Sequence, residues 1–423
     1  MKKDRREADS FIWNSVGGIL NAGQSVVILM VITRTIGISA AGIFSIAYAT
    51  GNLFMNVGNY GVRNYQISDL SEKYSFHDYL IHRFMTIIIM LILSILYCVY
   101  GLIKGGYSTT KASVVFLTCV LKALDAFEEV FEGRMQQKGR LDSAGKMMTV
   151  RILIVLFGMM LTLLLGGSLL LSVVIANLCE IFAIAVLILL DRTVIDYQKK
   201  SHGSTAVRKL MRACFPVCLA NILSFYLTNA PKYAIDGLMD ETAQAKYNFI
   251  AMPVFVIQLM NMFIYQPILV KMAIAWNEKN YKQFEHHFNK ILLALASISA
   301  LVLLASWLLG IPVLSLLYAT DLSDMKMEFM IIMISSIFLA LTGFCNAVLT
   351  IMRHQKAIPL VYVTGSILSL ILTNIMVEKS GIFGAVMAYL SIMFVVSVIL
   401  LVVYKIFLQW AIRNRNTDSS SNL

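Results

Sequence analysis

The chain has 423 residues, 58% of them hydrophobic and 14% charged, with a formal net charge of +11. Soluble domains carry about 25% charged residues, so a cytosolic enzyme, a disulfide-stapled secreted module and a disordered regulator are excluded. What remains is an all-α polytopic membrane protein, in which each crossing takes roughly 20 apolar residues.

The opening MKKDRRE runs into an apolar stretch without a small-residue cleavage site, which predicts an uncleaved first span. Apolar runs between breakers predict about twelve transmembrane helices, near 11–35, 40–62, 80–101, 111–133, 145–166, 169–190, 212–238, 244–270, 288–310, 327–352, 356–377 and 382–408. Span one carries Asn14, Asn21 and Gln24 at spacings of seven and three, a polar stripe on a buried helix. Arg34, near its outer end, suits a phosphate headgroup and a substrate equally. Arg63, at the inner end of span two, needs only positive-inside placement.

Span four is the richest in charge, with Lys122, Asp125, Glu128, Glu129 and Glu132. Lys122, Asp125, Glu129 and Glu132 are three and four apart and share one face. Charge at membrane depth is costly unless paired or solvated. This face is therefore expected to line a hydrated cavity, or else to be satisfied by a local Lys122–Asp125 pair. Glu180, near the middle of span six, has no basic residue within one turn. With Asp125 and Glu129 it makes a candidate coupling site for a proton or sodium ion; a structural interhelical contact explains it as well.

Span seven contains NAPKYAID, Asn229 to Asp236. Pro231 is expected to kink or open the helix, and Lys232 and Asp236 stand four apart on one face. A cation beside a break suits an anionic ligand, while snorkelling of Lys232 to the outer surface is the plainer account. Asn229, Lys232 and Tyr233 are taken as substrate contacts and Asp236 as a further ion-coupling carboxylate. The six cysteines lie inside apolar runs with no metal-ligand spacing, so neither a disulfide nor a metal site is assigned. The six histidines fall in or near cytoplasmic loops. There is no phosphate-cradling glycine loop and no nucleophile–base pair, so no enzyme and no cofactor is expected. The basic charge implies no nucleic-acid partner.

Topology follows from the lysines and arginines. With the N-terminus inside, all but eight of the 35 fall in segments on the cytoplasmic side; the eight are Arg34, Lys104, Lys111, Lys122, Lys232, Lys246, Lys326 and Lys379. Both termini are therefore expected in the cytoplasm. Six spans on each side of a polar loop suggest two halves: an N-terminal lobe over 1–195, a linker over 196–208, a C-terminal lobe over 209–410 and a disordered tail over 411–423. Weak self-similarity supports a duplication, SAAGIFSIA (39–47) against TAQAKYNFIA (242–251) and VVIANL (173–178) against AVMAYL (385–390). An even number of spans per half gives parallel repeats and a V-shaped transporter, against a plain twelve-helix bundle without symmetry.

The stretch FIWNSVGGILNAGQSVVILMVITRTIGISAAGIFSIAYATGNLF, with its early Asn14, Arg34–Thr35–Ile36–Gly37 and Ala41–Gly42, resembles the first two spans of a known superfamily. So do GVRNYQI (Gly61 to Ile67) and IPLVYVTGSILSLILTNIMVEKSGIFGAVMAYLS, with Asn374, Gly381, Gly384 and Ala385 in matching places. The superfamily is that of oligosaccharidyl-lipid flippases, lipid II flippases and multidrug and toxin extrusion antiporters, and the segments look most like its polysaccharide-exporting branch. The resemblance implies export of an undecaprenyl-diphosphate-linked oligosaccharide across the cytoplasmic membrane by alternating access, for capsule, O-antigen or wall polymer. Glycan polymerase or glycosyltransferase partners, membrane lipids and a coupling H+ or Na+ are implied with it. The matched Arg34, with Lys122 and Lys232, is the candidate diphosphate site, lined by Asn21, Gln24, Asn229 and Tyr233. A cation-coupled multidrug exporter fits the acidic excess, and a non-transporting scaffold of a glycan synthesis complex is the third reading.

Overall fold

The computed structural model describes residues 2–69, 71–190, 203–354 and 356–420, with side chains described except at 2–8, 190, 255–264, 266, 267 and 414–420. Residues 196–202 of the linker and 421–423 of the tail lie outside the described residues. Helices occupy nearly all of it: α1 (Lys2–Thr35), α2 (Ile38–Asn59), α3 (Val62–Ser68), α4 (Phe76–Ile103), α5 (Thr109–Gln137), α6 (Leu141–Leu164) and α7 (Leu169–Leu190). They continue with α8 (Ser204–Leu238), α9 (Glu241–Asn277), α10 (Tyr281–Ala305), α11 (Ile311–Tyr318), α12 (Lys326–Ile351) and α13 (Ala357–Ser420). No strand occurs among the described residues. Nine helical segments among them are long and apolar enough to cross a membrane.

The helix ends follow local chemistry. Ser75 and Asp78 form a capping box on α4, each side chain accepting from the other's backbone N–H, at 3.2 and 2.9 Å. Ser108 and Asp240 cap α5 and α9. Between α2 and α3 the chain turns at Tyr60 and Gly61, both left-handed, with φ of 52° and 68°. A side chain at Gly61 would also strike Val217, its Cβ lying 2.7 Å from Val217 Cγ1, so α8 docks against this break. α13 turns at Gly381 (φ 57°, ψ −134°), which divides it into the last two predicted spans. Across that turn a Cβ on Gly384 would strike the Met376 carbonyl oxygen. The clash is with backbone, so Gly384→Ala is expected to destabilise by about 1–3 kcal/mol or more. A lowered thermal midpoint of the purified variant in detergent checks this, and a wild-type midpoint would contradict it. Past residue 411, read from sequence as tail, α13 continues to Ser420.

The described chain forms two compact units, Met1–Phe225 and Tyr226–Leu423, which divide within α8. In the first, α5 packs against α2, α3, α4, α6 and α7, while α1 lies along α6. In the second, α12 packs against α9, α10 and α13, with Phe288 stacked on Tyr404 and Phe249 on Tyr318, ring centroids 4.0 Å apart in each pair. Among the described residues, every fully buried charged side chain lies in the first unit; the second buries Ser, Thr, Asn, Gln and Tyr residues.

Candidate functional site

The charges of α5 follow from its place in the fold. From Lys111 to Gln137 none of its residues is exposed, so it has no lipid face, and its neighbours supply counter-ions. Arg151 on α6 is ion-paired to Asp125 and Glu128 on α5, and to Glu180 on α7 at 2.5 Å. Lys122 Nζ lies 2.7 Å from Asp125 Oδ2 and 4.6 Å from the centroid of the Tyr48 ring. α2 presents Gly51 to the lysine stem, where a Cβ would come within 3.1 Å of Lys122 Cγ.

Two further pairs tie α5 to the α2–α3 break. Arg83 on α4 bonds Glu129 at 2.7 Å and donates to the Gly58 carbonyl and to Asn59 Oδ1, which holds the end of α2. Arg63 on α3 meets Glu132 at 2.7 Å. These two pairs balance. Around Arg151 the balance fails, because Lys122 and Arg151 face Asp125, Glu128 and Glu180. The surplus is one carboxylate, and Glu128 Oε1 is buried without a hydrogen-bond partner among the described residues.

A second polar feature lies on α8. Leu227, Ala230, Ala234 and Ile235 bury one face, while Tyr226, Thr228, Asn229, Lys232, Tyr233 and Asp236 are all half-buried on the other. Tyr226 and Tyr233 are stacked, ring centroids 5.9 Å apart and planes within 4°. Lys232 forms no ion pair or hydrogen bond among the described residues.

Several sequence expectations change. Lys122 is 3% exposed and shared between Asp125 and a ring face, so it belongs to the ionic cluster and not to an open anion site. Glu129 pairs with Arg83, apart from Asp125 and Glu180, which share Arg151. The α8 helix runs unbroken through Pro231, so Lys232 does not sit beside a break and does not pair with Asp236. His82, expected in or near a loop, is buried in the second turn of α4, edge-on to Tyr60 at 5.2 Å. Asn21 and Gln24 bond each other, Gln24 Nε2 donating to Asn21 Oδ1 at 2.8 Å, and Arg34 is exposed at the end of α1. Asn14 donates to the Leu141 carbonyl, joining α1 to α6.

Arg151 and Arg83 are the residues that sequence reasoning misses, and Glu128, named on span four, falls outside the face it singles out. Both arginines were counted with the cytoplasmic cations, although each lies inside a predicted span. Their presence beside an acid-rich helix was the available signal.

These helices, with a buried ionic cluster in one unit and a cationic, aromatic stripe in the other, define a multi-pass helical membrane protein. Solved structures that share this fold include transporters. A multidrug resistance MATE family transporter of the MOP superfamily in an inward-facing conformation matches at TM-score 0.65 and 11% identity, covering 96% of both chains. The lipid II flippase MurJ, inward closed, matches at TM-score 0.73 and 13% identity over 93% of this chain and 87% of its own. The Vibrio cholerae MATE transporter VcmN, in a bent form, matches at 0.61 and 12% over 96% and 98%. At these identities the likeness establishes the fold. Comparison with curated proteins finds no match. The family model for polysaccharide biosynthesis proteins matches residues 8–273, and the chain belongs to that family. The family is described by polysaccharide biosynthesis, and the fold is one that transporters and a flippase share.

Proposed function

We propose that the protein moves a polyprenyl-diphosphate-linked oligosaccharide, of the undecaprenyl type, from the inner to the outer leaflet of the cytoplasmic membrane by alternating access, for cell-surface polysaccharide biosynthesis. Both termini are in the cytoplasm. Lys232 carries this reading: it is a half-buried cation without a counter-ion among the described residues, on a helix long and apolar enough to span the bilayer. Unpaired charge is rare at such depth and marks a ligand pathway. An anionic diphosphate supplies what the stripe lacks, with Asn229 and Tyr233 beside it for the sugar. Arg34, exposed at the end of α1, meets phosphate headgroups or the arriving substrate.

The cluster around Arg151 is the ion-coupling element of this reading. One carboxylate in excess calls for one proton or monovalent cation, with Asp125, Glu128 and Glu180 as the shared acceptors. The same surplus favours a second reading, a cation-coupled exporter of amphipathic drugs. Deleting the gene in its host separates the two. Accumulation of lipid-linked glycan on the inner leaflet supports the flippase, and unchanged glycan with raised drug sensitivity supports the exporter. Collapsing the ion gradient is expected to slow transport, and an unaffected rate would retire the coupling role.

A further inference from the structure

We propose that the stacked pair Tyr226–Tyr233 is a carbohydrate platform that takes the pyranose next to the diphosphate by its apolar face, a claim that rests on the flippase reading and gives it a specificity element. The two rings stand seven residues apart on α8, two turns along one face, and lie parallel with centroids 5.9 Å apart. Both lie on the half-buried side of the helix, since Leu227, Ala230, Ala234 and Ile235 occupy the buried side, and the outer face of the stack is the surface offered to a ligand.

Two features separate this surface from ordinary packing. The Tyr226 side chain is hydrogen-bonded to Ser369, itself fully buried on α13 and bonded to Thr373, so the ring is held in place before any ligand arrives. A preset surface spares a ligand the ordering cost of binding. The second is Lys232, adjacent in sequence to Tyr233 and so about 100° around the helix and 1.5 Å along it. A cation beside an aromatic face matches a ligand with an anionic end joined to a ring. Sugar phosphates have that form. One face of a pyranose with equatorial substituents is lined by axial C–H groups, which gain by leaving water for an aromatic ring. A diphosphate without a sugar would use Lys232 alone.

The test uses the full-length protein in lipid nanodiscs and two probes, farnesyl diphosphate and farnesyl-diphospho-N-acetylglucosamine, with affinities read by calorimetry. Wild type is expected to prefer the sugar-bearing probe by about tenfold or more. Tyr226→Leu with Tyr233→Leu, which keeps apolar bulk, should bring that ratio near one, and the corresponding Phe pair should keep it. Lys232→Ala should weaken both probes. A ratio unchanged in the Leu pair overturns the platform while leaving the flippase reading intact. Wild type that binds neither probe overturns the flippase reading, and the platform falls with it.

Discussion

Arg151→Met is expected to destabilise the protein by about 3–5 kcal/mol, the scale for stranding buried charge. Methionine keeps much of the arginine's length and apolar stem, so a cavity contributes little and the effect isolates the guanidinium. Without it, Glu128 and Glu180, both 1% exposed, and Asp125 share only Lys122, two carboxylates more than the cation can offset. The measurement is the thermal midpoint of purified protein in detergent, with the monodisperse yield as a second readout. Adding Glu128→Gln and Glu180→Gln should recover most of the loss, because amides restore the balance of one acid to one base. That recovery distinguishes charge from packing. A Met variant that melts like wild type would mean the cluster is solvated and contributes no structure.

This cluster also marks the boundary of what the sequence discloses. Apolar length is a one-dimensional property, so the nine helical segments long and apolar enough to cross a membrane lie over ten of the twelve predicted spans, and the turn at Gly381 separates the last two. The shared face of Lys122, Asp125, Glu129 and Glu132 was legible for the same reason, since i,i+3 and i,i+4 spacing lies within a single helix. Partners on other helices leave no such trace. Arg83 and Arg151 stand only two to three turns from the starts of α4 and α6 and therefore read as topology signals. Folding instead turns both inward against α5, the one helix of the first unit enclosed by five others. Pro231 misleads in the opposite sense, because proline in a helix interior usually marks a kink, and α8 accommodates it without losing its helical course.

The contrast between the two units bears on how work is divided along the chain. In the first unit the buried Arg83, Lys122, Arg134 and Arg151 are paired with carboxylates, so their removal costs folding. In the second unit no charged side chain is fully buried among the described residues, and Lys232 forms no ion pair there. The same type of substitution should thus have opposite consequences in the two places.

Lys232→Ala is expected to leave the thermal midpoint within about 0.5 kcal/mol of wild type, as for substitutions that strand no partner. Transport of lipid-linked glycan should fall by about 30-fold or more, since losing one member of a desolvated charge contact costs about 2–5 kcal/mol. Lys232→Arg should retain most transport, because a guanidinium also binds phosphate oxygens. Lys232→Glu should be worse than alanine, adding repulsion to the lost attraction. The assay is restoration of surface polysaccharide in a deletion strain, alongside inner-leaflet glycan levels and membrane content of each variant. Full restoration by Lys232→Ala would remove this lysine from the substrate path. A large fall in thermal midpoint would reveal a protein carboxylate as its true partner, and with it the plain structural explanation for a charge on α8.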